Sequence, residues 1–188
     1  MDSYNFDNGG AYKSIYQHIM LMDYKVGCEV GVWRAESLIE LVQLCPNVES
    51  IVGIDNWKPY VDYKYEDKGE DFCEKDLSLA KLLAHHYVEY SGVSEKITLI
   101  ENDSHLACAE FEDGYFDFVL LDCYNNEIEV EREISQWIKK VKPNGILAGH
   151  DFSTNSVKQG LINYCKNNDV ELDISGYDNL WVIKNANV

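Results

Sequence analysis

The feature that most constrains the fold of this chain is a regular alternation between short apolar runs and helical stretches. From Lys25 onward the apolar runs are separated by segments whose apolar residues recur at helical spacing. This alternation is typical of a parallel sheet that is covered by helices on both faces. The sequence therefore predicts an α/β fold in which a doubly wound sheet carries the functional site along one edge.

The apolar runs predict seven strands, over 26–30, 50–54, 97–101, 116–121, 145–149, 170–175 and 180–184. The fourth run is almost wholly apolar, as expected of a central buried strand. The last two are expected to form an antiparallel hairpin at the end of a mostly parallel sheet. Helical spacing predicts helices over 8–23, 36–44, 76–90, 104–110, 127–141 and 155–168.

The chain has 188 residues and contains no internal repeat, low-complexity tract or linker. We therefore expect one domain over 1–188, with an N-terminal helix within 1–24. Residues 57–75 break the alternation, because this segment is aromatic and charged without clean periodicity. It is a candidate lid whose aromatic side chains would exclude water from the site. The alternatives are a loop packed by its own rings and a disordered excursion.

Charge and hydropathy exclude two classes of partner. The formal net charge of −17 repels phosphate backbones, and no run rich in lysine or arginine offsets it. The N-terminus is polar, and the longest apolar stretches fall far short of the ~20 residues that span a membrane. We expect a cytoplasmic protein that binds neither nucleic acid nor membrane, and a homo-oligomer remains open.

The turn after the first predicted strand reads Glu29-Val-Gly31-Val-Trp-Arg-Ala35 and has a single glycine. Gly31 lets the backbone turn tightly and approach a ligand. The second strand is followed by Asp55, whose carboxylate is placed to accept hydrogen bonds from both hydroxyls of a ribose. A dinucleotide-binding turn would bring two more glycines to hold a pyrophosphate. One glycine preceded by a carboxylate better suits a cationic ligand without phosphate.

These motifs resemble the class I methyltransferases that use S-adenosylmethionine (SAM). Within that class, a small bacterial and phage-type group is resembled by Gly53-Ile-Asp-Asn-Trp-Lys-Pro-Tyr60 and by Val141-Lys-Pro-Asn-Gly-Ile-Leu-Ala-Gly-His-Asp151. The first motif of that class is acid-x-Gly-x-x-x-Gly, which Glu29 to Ala35 matches except that Ala35 replaces the closing glycine. The resemblance covers nearly the whole chain and implies a Rossmann-like sheet. It places Glu29 and Gly31 beside the methionine part of SAM and Asp55 at the ribose. Further SAM contacts are implied for Asp103 and Ser104 at the adenine, for Trp57 lining the adenine pocket, and for Asp122.

Asp122 follows the fourth predicted strand, and His150 and Asp151 follow the fifth. In the related catechol-type O-methyltransferases, acidic or amide groups at these places hold magnesium. A divalent metal is therefore one candidate, although the imidazole of His150 favours manganese, iron or zinc over magnesium. Without metal, His150 is the candidate general base, oriented by Asp122 or Asp151. The third reading of His150 is a polar loop residue that caps the next helix or pairs with Asp151.

The resemblance implies transfer of the SAM methyl group to a small-molecule acceptor, with a hydroxyl oxygen as the first expectation. Two alternatives stay open. The first is a domain of the same fold that binds SAM, or nothing, and acts as an interaction module. The second is an oxidoreductase that uses NAD(P), which the missing glycines disfavour.

Overall fold

Seven strands and six α-helices are found in a computed structural model, which describes residues 12–59, 74–123, 126–175 and 179–184. The strands are β1 (Val26–Val30), β2 (Ser50–Asp55), β3 (Ile97–Glu101), β4 (Phe116–Leu121), β5 (Val141–Gly149), β6 (Leu172–Ser175) and β7 (Leu180–Lys184). The helices are α1 (Lys13–Leu21), α2 (Glu36–Leu44), α3 (Glu74–Tyr90), α4 (Ser104–Cys108), α5 (Glu127–Trp137) and α6 (Asn155–Asn168).

The strands form one mixed sheet in the order β3-β2-β1-β4-β5-β7-β6. The five strands from β3 to β5 pair in parallel, whereas β7 pairs antiparallel with both β5 and β6. The predicted doubly wound, Rossmann-like sheet with its C-terminal antiparallel hairpin is confirmed. The direction of strand addition reverses between β1 and β4, and ligands of such folds bind at this reversal, outside the carboxyl ends of the strands.

Two apolar cores cover the two faces of the sheet. On one face α1, α2 and α3 pack through residues such as Ile19, Leu38 and Ala84. On the other face α4, α5 and α6 contribute Ala107, Ile134 and Leu161, among others. The central strand β4 supplies Phe118 and Leu120 to the first core and Val119 to the second, and all three are almost wholly buried. This is why the fourth apolar run is continuous rather than alternating.

The largest difference from the predicted boundaries lies before Gly145. The helix predicted over 127–141 ends at Trp137, a 3-10 turn covers Ile138–Lys140, and β5 begins at Val141. Val141 pairs with Phe116, and the register then shifts between Phe116 and Phe118. This irregularity accommodates Pro143, which has no N–H to donate, and Asn144, whose φ is 67°. The sequence prediction started this strand four residues late because the bulge interrupts its apolar pattern.

Smaller differences occur at other ends. The first helix spans Lys13–Leu21 within the predicted 8–23, and residues 8–11 lie outside the described part of the chain. The third helix begins at 74 rather than 76, the fourth ends at 108 rather than 110, and the sixth strand begins at 172 rather than 170. Residues 60–73 of the candidate lid are likewise outside the described residues. Within the described part of the chain, the helices are too short or too polar to cross a membrane.

Candidate functional site

The turn between β1 and α2 brings the backbone of Gly31 against the loop after β4. Gly31 has a φ of +94°, and a β-carbon at this position would lie 2.1 Å from the carbonyl oxygen of Asp122. The Gly31 N–H donates to the carbonyl oxygen of Ile54 at 2.8 Å, which joins the turn to β2 as well. Ala35, which replaces the closing glycine of the family motif, keeps a left-handed φ of 64°. The backbone at position 35 thus lies in the region that favours glycine, although the residue there is alanine.

Glu29 is 1% exposed in the middle of the sheet, and only one of its carboxylate oxygens is hydrogen-bonded. The Ser37 hydroxyl donates to Oε1 at 2.5 Å. Oε2 has no hydrogen-bond partner among the described residues. Burial raises the pKa of Glu29 to about 8, with Ser37 opposing the rise and the charges of Asp122 and Asp55 adding to it. A buried carboxylate with an open oxygen is suited to a cationic or hydrogen-bond-donating ligand.

Asp55 ends β2, and its carboxylate is fixed by backbone amides of two loops. The N–H of Trp33 donates to Oδ2 at 2.9 Å, and the N–H of Trp57 donates to Oδ1 at 2.8 Å. Burial raises the pKa of Asp55, and these amide donors oppose that rise. Because each oxygen can accept a second hydrogen bond, the carboxylate is held in place while it remains available to a ligand.

A small cleft lies between Gly31 and Asp55 at the carboxyl ends of the first three strands. We call it the first cavity; its remaining lining residues are Val30, Ile54, Asn56, Asn102, Ser104 and Cys123. Asn56, Asn102 and Cys123 were missed by the sequence reasoning. Each lies one or two residues after the end of a strand: Asn56 after β2, Asn102 after β3 and Cys123 after β4. This position is the signal that could have identified them.

The structure places Trp57 away from this cavity. Its ring is 4% exposed and belongs to the core between the sheet and α3. The indole Nε1 donates to the carbonyl oxygen of Trp33 at 2.8 Å, and the ring lies 6.0 Å from that of His85. The Trp57 ring thus packs in the core, at a residue with a positive φ of 45°, and its contact with adenine stays a prediction.

Asp103 and Ser104 begin α4 at the rim of the first cavity. The Asp103 carboxylate caps the helix by accepting from the His105 N–H at 3.0 Å. The Ser104 hydroxyl is buried and faces α5, where it donates to Glu133 Oε2 at 2.7 Å and accepts from Trp137 Nε1 at 2.9 Å. Ser104 therefore contributes its position to the cavity, while its hydroxyl is used inside the fold.

The predicted cluster of Asp122, His150 and Asp151 does form. One ligand atom from each of the three lies within 4.8 Å of the other two. His150 Nδ1 is 3.0 Å from Asp151 Oδ1. The backbone carries these side chains rigidly, because the His150 N–H donates to Leu121 at 3.3 Å and Trp181 Nε1 donates to the His150 carbonyl at 3.1 Å.

Tyr12 adds an element that the sequence did not indicate. Its hydroxyl donates to Asp122 Oδ2 at 2.6 Å, and its ring centroid lies 5.6 Å from that of His150. Asp122 is exposed as a residue, yet the walls of the cleft desolvate its carboxylate and raise its pKa, with Tyr12 and His150 opposing the rise. The pKa of Tyr12 is raised well above 10 by burial and by Asp122, so the phenol stays a donor at neutral pH.

Several solved structures are similar to this chain. TomG, an O-methyltransferase from Streptomyces achromogenes solved with SAM, has a TM-score of 0.66 and 15% identity, with 91% of this chain and 77% of that chain covered. A Podospora anserina methyltransferase bound to SAH has a TM-score of 0.65 and 14% identity over 90% and 75% of the two chains. A Bacillus cereus O-methyltransferase in complex with SAH gives 0.62 and 10%, over 91% and 79%. No curated protein sequence matches the chain.

The sheet order, the single-glycine turn after β1 and the acid that ends β2 define a class I SAM-dependent methyltransferase. A family model described as a methyltransferase domain matches residues 28–152, which contain every predicted site residue. The chain belongs to this methyltransferase family.

Proposed function

We propose that this methyltransferase transfers the methyl group of SAM to a hydroxyl oxygen of a small-molecule acceptor. The observation that carries the proposal is the position of Asp122 and His150 directly beside the cavity bounded by Gly31 and Asp55. Cofactor-binding and proton-accepting groups thus meet at the reversal of the sheet, between β1 and β4.

The residues of the first cavity fit SAM by their chemistry. The open Oε2 of buried Glu29 matches the ammonium of the methionine part, and the fixed carboxylate of Asp55 matches the ribose hydroxyls. Because Gly31 has no side chain, its backbone can lie close to a ligand. Asp122 lines the neighbouring cleft and has its carbonyl against Gly31. Ser104 lines the first cavity at the start of α4, which Asp103 caps, and we assign these two residues to the adenine. SAM supplies the electrophilic methyl group and leaves as S-adenosylhomocysteine (SAH).

The proton of the acceptor hydroxyl goes to His150. Asp151 holds Nδ1 of the imidazole at 3.0 Å, which orients Nε2 toward the proton. Asp122 lies on the other side and favours the imidazolium that results, by its charge. The oxygen lone pair forms the new bond to carbon as the bond from carbon to sulfur breaks. Alignment of the two reactants within the cleft supplies most of the rate enhancement.

A divalent metal fits the same three residues. Two carboxylates and one imidazole with donor atoms within 4.8 Å can converge on one ion after a small adjustment, because opposite ligands of such ions are ~4 Å apart. The donor set favours manganese, iron or zinc over magnesium. A bound ion would hold the acceptor oxygen and stabilise its ionised form. Transfer with a metal and transfer without one are two versions of the same proposal, and both use Asp122, His150 and Asp151.

An oxygen acceptor is supported by the names of the structural neighbours, since TomG and the Bacillus cereus protein are O-methyltransferases. A small molecule is favoured over nucleic acid because the net charge is −17. A domain that binds SAM without turnover is the remaining alternative from a different functional class.

Calorimetric titration with SAH tests the cofactor site. Wild-type protein should bind SAH, and Asp55→Asn should bind it about 10-fold or more weakly, because one hydroxyl acceptor is lost. Glu112→Gln is the matched control, since Glu112 is exposed in the loop before β4, at the opposite edge of the sheet. It should bind as the wild type does. Equal affinity in all three proteins, or no binding at all, would sink the proposal.

Turnover is tested with a panel of hydroxylated aromatic and aliphatic acceptors, by mass spectrometry of the methylated product. Reactions with Mn²⁺, with Mg²⁺ and with a chelator separate the two versions of the mechanism. His150→Gln should abolish transfer while leaving SAH affinity within about threefold. Binding of SAH without transfer to any acceptor would favour the non-catalytic alternative.

A further inference from the structure

A second, small cavity lies next to the first, beneath the carboxyl ends of β4 and β5. Its walls combine an apolar surface from the sheet and two helices with a small set of polar groups: Leu121, Asp122, Cys123, Val130, Glu133, His150, Val157 and Trp181. Cys123 lines both cavities and therefore forms the partition between them. A group bound here lies beyond the cofactor cavity and next to His150, which is where the acceptor is expected.

Glu133 of α5 is the unusual member of this lining. It is 2% exposed, although glutamate is rarely buried unless paired. Its Oε2 accepts from Ser104 at 2.7 Å, but Oε1 accepts no hydrogen bond from the described residues. His105 Nδ1 is 3.3 Å from Oε1 and 2.7 Å from Gln136 Oε1, and the Cys123 thiol also contacts the Glu133 carboxyl group. Burial raises the pKa of Glu133 to about 7.

The charge of the second cavity is one-sided. Its polar lining consists of Asp122, Glu133, Cys123 and His150, and the described residues place no lysine or arginine in the lining of either cavity. An acceptor with a carboxylate or phosphate would meet two acids here, and His150 is the one basic side chain of the lining that could pair with it. An ammonium group would instead gain a buried carboxylate and remove the cost of its open oxygen. The net charge of −17 acts in the same direction.

We propose that Glu133 is a specificity residue that pairs with an ammonium group on the acceptor, so that the acceptor belongs to the hydroxylated amines. This inference rests on the proposed function, because it takes the second cavity as the acceptor side of the methyl-transfer site. The apolar walls from Leu121, Val130 and Trp181 receive the carbon skeleton, and the hydroxyl lies toward His150. Acceptors that end in a carboxylate, a phosphate or a coenzyme A ester are disfavoured.

Three probes that share a dihydroxyphenyl ring test this inference. Dopamine carries an ammonium, 4-ethylcatechol ends in a methyl group, and 3-(3,4-dihydroxyphenyl)propionate carries a carboxylate. Their affinities are measured by calorimetry with the wild-type protein saturated with SAH. We expect the amine to bind at least about 10-fold more tightly than the neutral probe, and the acid more weakly than both. An acid that binds as tightly as the amine overturns the inference.

Glu133→Gln tests the residue itself, because glutamine keeps the shape and the contact with Ser104. In this variant the amine should bind no more tightly than the neutral probe. Glu131→Gln is the matched control, since Glu131 is on the same helix but pairs with Asn167 of α6. It should keep the full preference. If Glu133→Gln also keeps it, or weakens the amine and neutral probes equally, the role of Glu133 is structural and the inference fails.

The two levels of the proposal fail differently. If SAH does not bind to the wild-type protein, the cofactor assignment fails before any probe is added. If SAH binds but none of the probes does, or the amine has no advantage, the assignment of the second cavity to a cationic acceptor fails while the cofactor site stands. Should Glu133→Gln not fold, the order of the three probes on the wild-type protein still decides the outcome.

Discussion

Glu29 shows how one residue can prepare a site for a charged ligand. A carboxylate with 1% exposure and one unpartnered oxygen is costly in the unliganded protein. A ligand cation offsets this cost when it binds. The energy that destabilises the empty fold is thus recovered as affinity, which is the same reasoning that links Glu133 to an ammonium on the acceptor side.

The pKa of Glu29 predicts how the stability of the unliganded protein depends on pH. The folded chain keeps the proton up to about pH 8, whereas the unfolded chain loses it near 4.5. Because the folded state holds more protons in this window, the contribution of Glu29 to stability falls as the pH rises from 4.5 toward 8. The loss is about 4 kcal/mol at most. It is measured by urea denaturation of wild type and Glu29→Gln at several pH values.

Glu29→Gln removes this titration, so the difference in unfolding free energy between the two proteins should grow in favour of the variant toward pH 8. Parallel pH profiles for the two would mean that Glu29 is already ionised in the fold. Saturating SAM should reduce the difference, because its ammonium stabilises the ionised carboxylate.

Gly31 and Gly92 separate two effects that a glycine can have. Both have positive φ, at +94° and +77°. A β-carbon on Gly31 would meet the Asp122 carbonyl at 2.1 Å, whereas one on Gly92 would have open space. Gly92→Ala should therefore cost only about 1 kcal/mol of backbone strain. Gly31→Ala should cost about 3 kcal/mol or more, because β1 and β4 must move apart.

Urea denaturation measures both losses, and SAH titration shows whether the cofactor cavity is affected. Gly31→Ala should weaken SAH binding, whereas Gly92→Ala should not. Similar stability losses for the two variants would show that φ, and not the contact with Asp122, is what requires glycine at position 31.

For the site residues, the sequence predicted where each residue lies in the fold better than which way its side chain points. Asp55, Asp122 and His150 lie at the carboxyl ends of β2, β4 and β5 as predicted, because a parallel sheet brings these ends to one edge. The inward turn of Trp57 depends on a positive φ that no pattern encodes. Glu133 was missed because its partner Ser104 is 29 residues away and because a glutamate within a helix usually faces solvent.

At the scale of elements, helix α1 is fastened to the site by its first side chains. Tyr12 donates to Asp122 at 2.6 Å, whereas the hydroxyl of Tyr16 makes longer contacts, at 3.3 and 3.4 Å, with Ser37 and Glu40. Ile15 and Ile19 bury the same helix against the first core. The residue that precedes α1 is therefore tied to the loop after β4, while the helix itself covers the sheet.

Two tyrosine variants test this attachment. Tyr12→Phe should lower the free energy of unfolding by about 1–2 kcal/mol, because a hydrogen bond to a carboxylate is lost while the ring stays in place. Tyr16→Phe, on the same helix, should cost less because its hydrogen bonds are longer. Chemical denaturation of the two variants beside wild type gives the comparison. A larger loss for Tyr16→Phe would contradict the assignment of Tyr12 as the stronger attachment.

The order of strands and helices could be predicted from the sequence more accurately than the residues at which they begin and end. The alternation of strands and helices depends on which residues are buried, and burial shapes composition along whole segments such as β4. The start of β5 depends on a bulge around Pro143, where a polar stretch still pairs with its neighbour. The periodicity of apolar residues indicates which segments are buried, but it does not indicate where a bulge occurs.

For the whole molecule, charge is the property that reaches beyond the site. A net charge of −17 on a 21.6 kDa protein creates a negative field around both cavities. SAM carries a net charge of +1 from its sulfonium, ammonium and carboxylate groups, whereas SAH is neutral overall. The field therefore attracts the substrate form of the cofactor more strongly than the product form.

The salt dependence of binding measures this difference directly. Raising the ionic strength from about 0.02 M to about 0.3 M shortens the Debye length from about 20 Å to about 6 Å, which screens the distant acids but not Glu29 and Asp55. The dissociation constant of SAM should rise about threefold or more over this range, and that of SAH should change little. Both are measured by calorimetry in the same buffers. Equal salt slopes for the two ligands would show that only the neighbouring carboxylates, and not the charge of the whole chain, distinguish SAM from SAH.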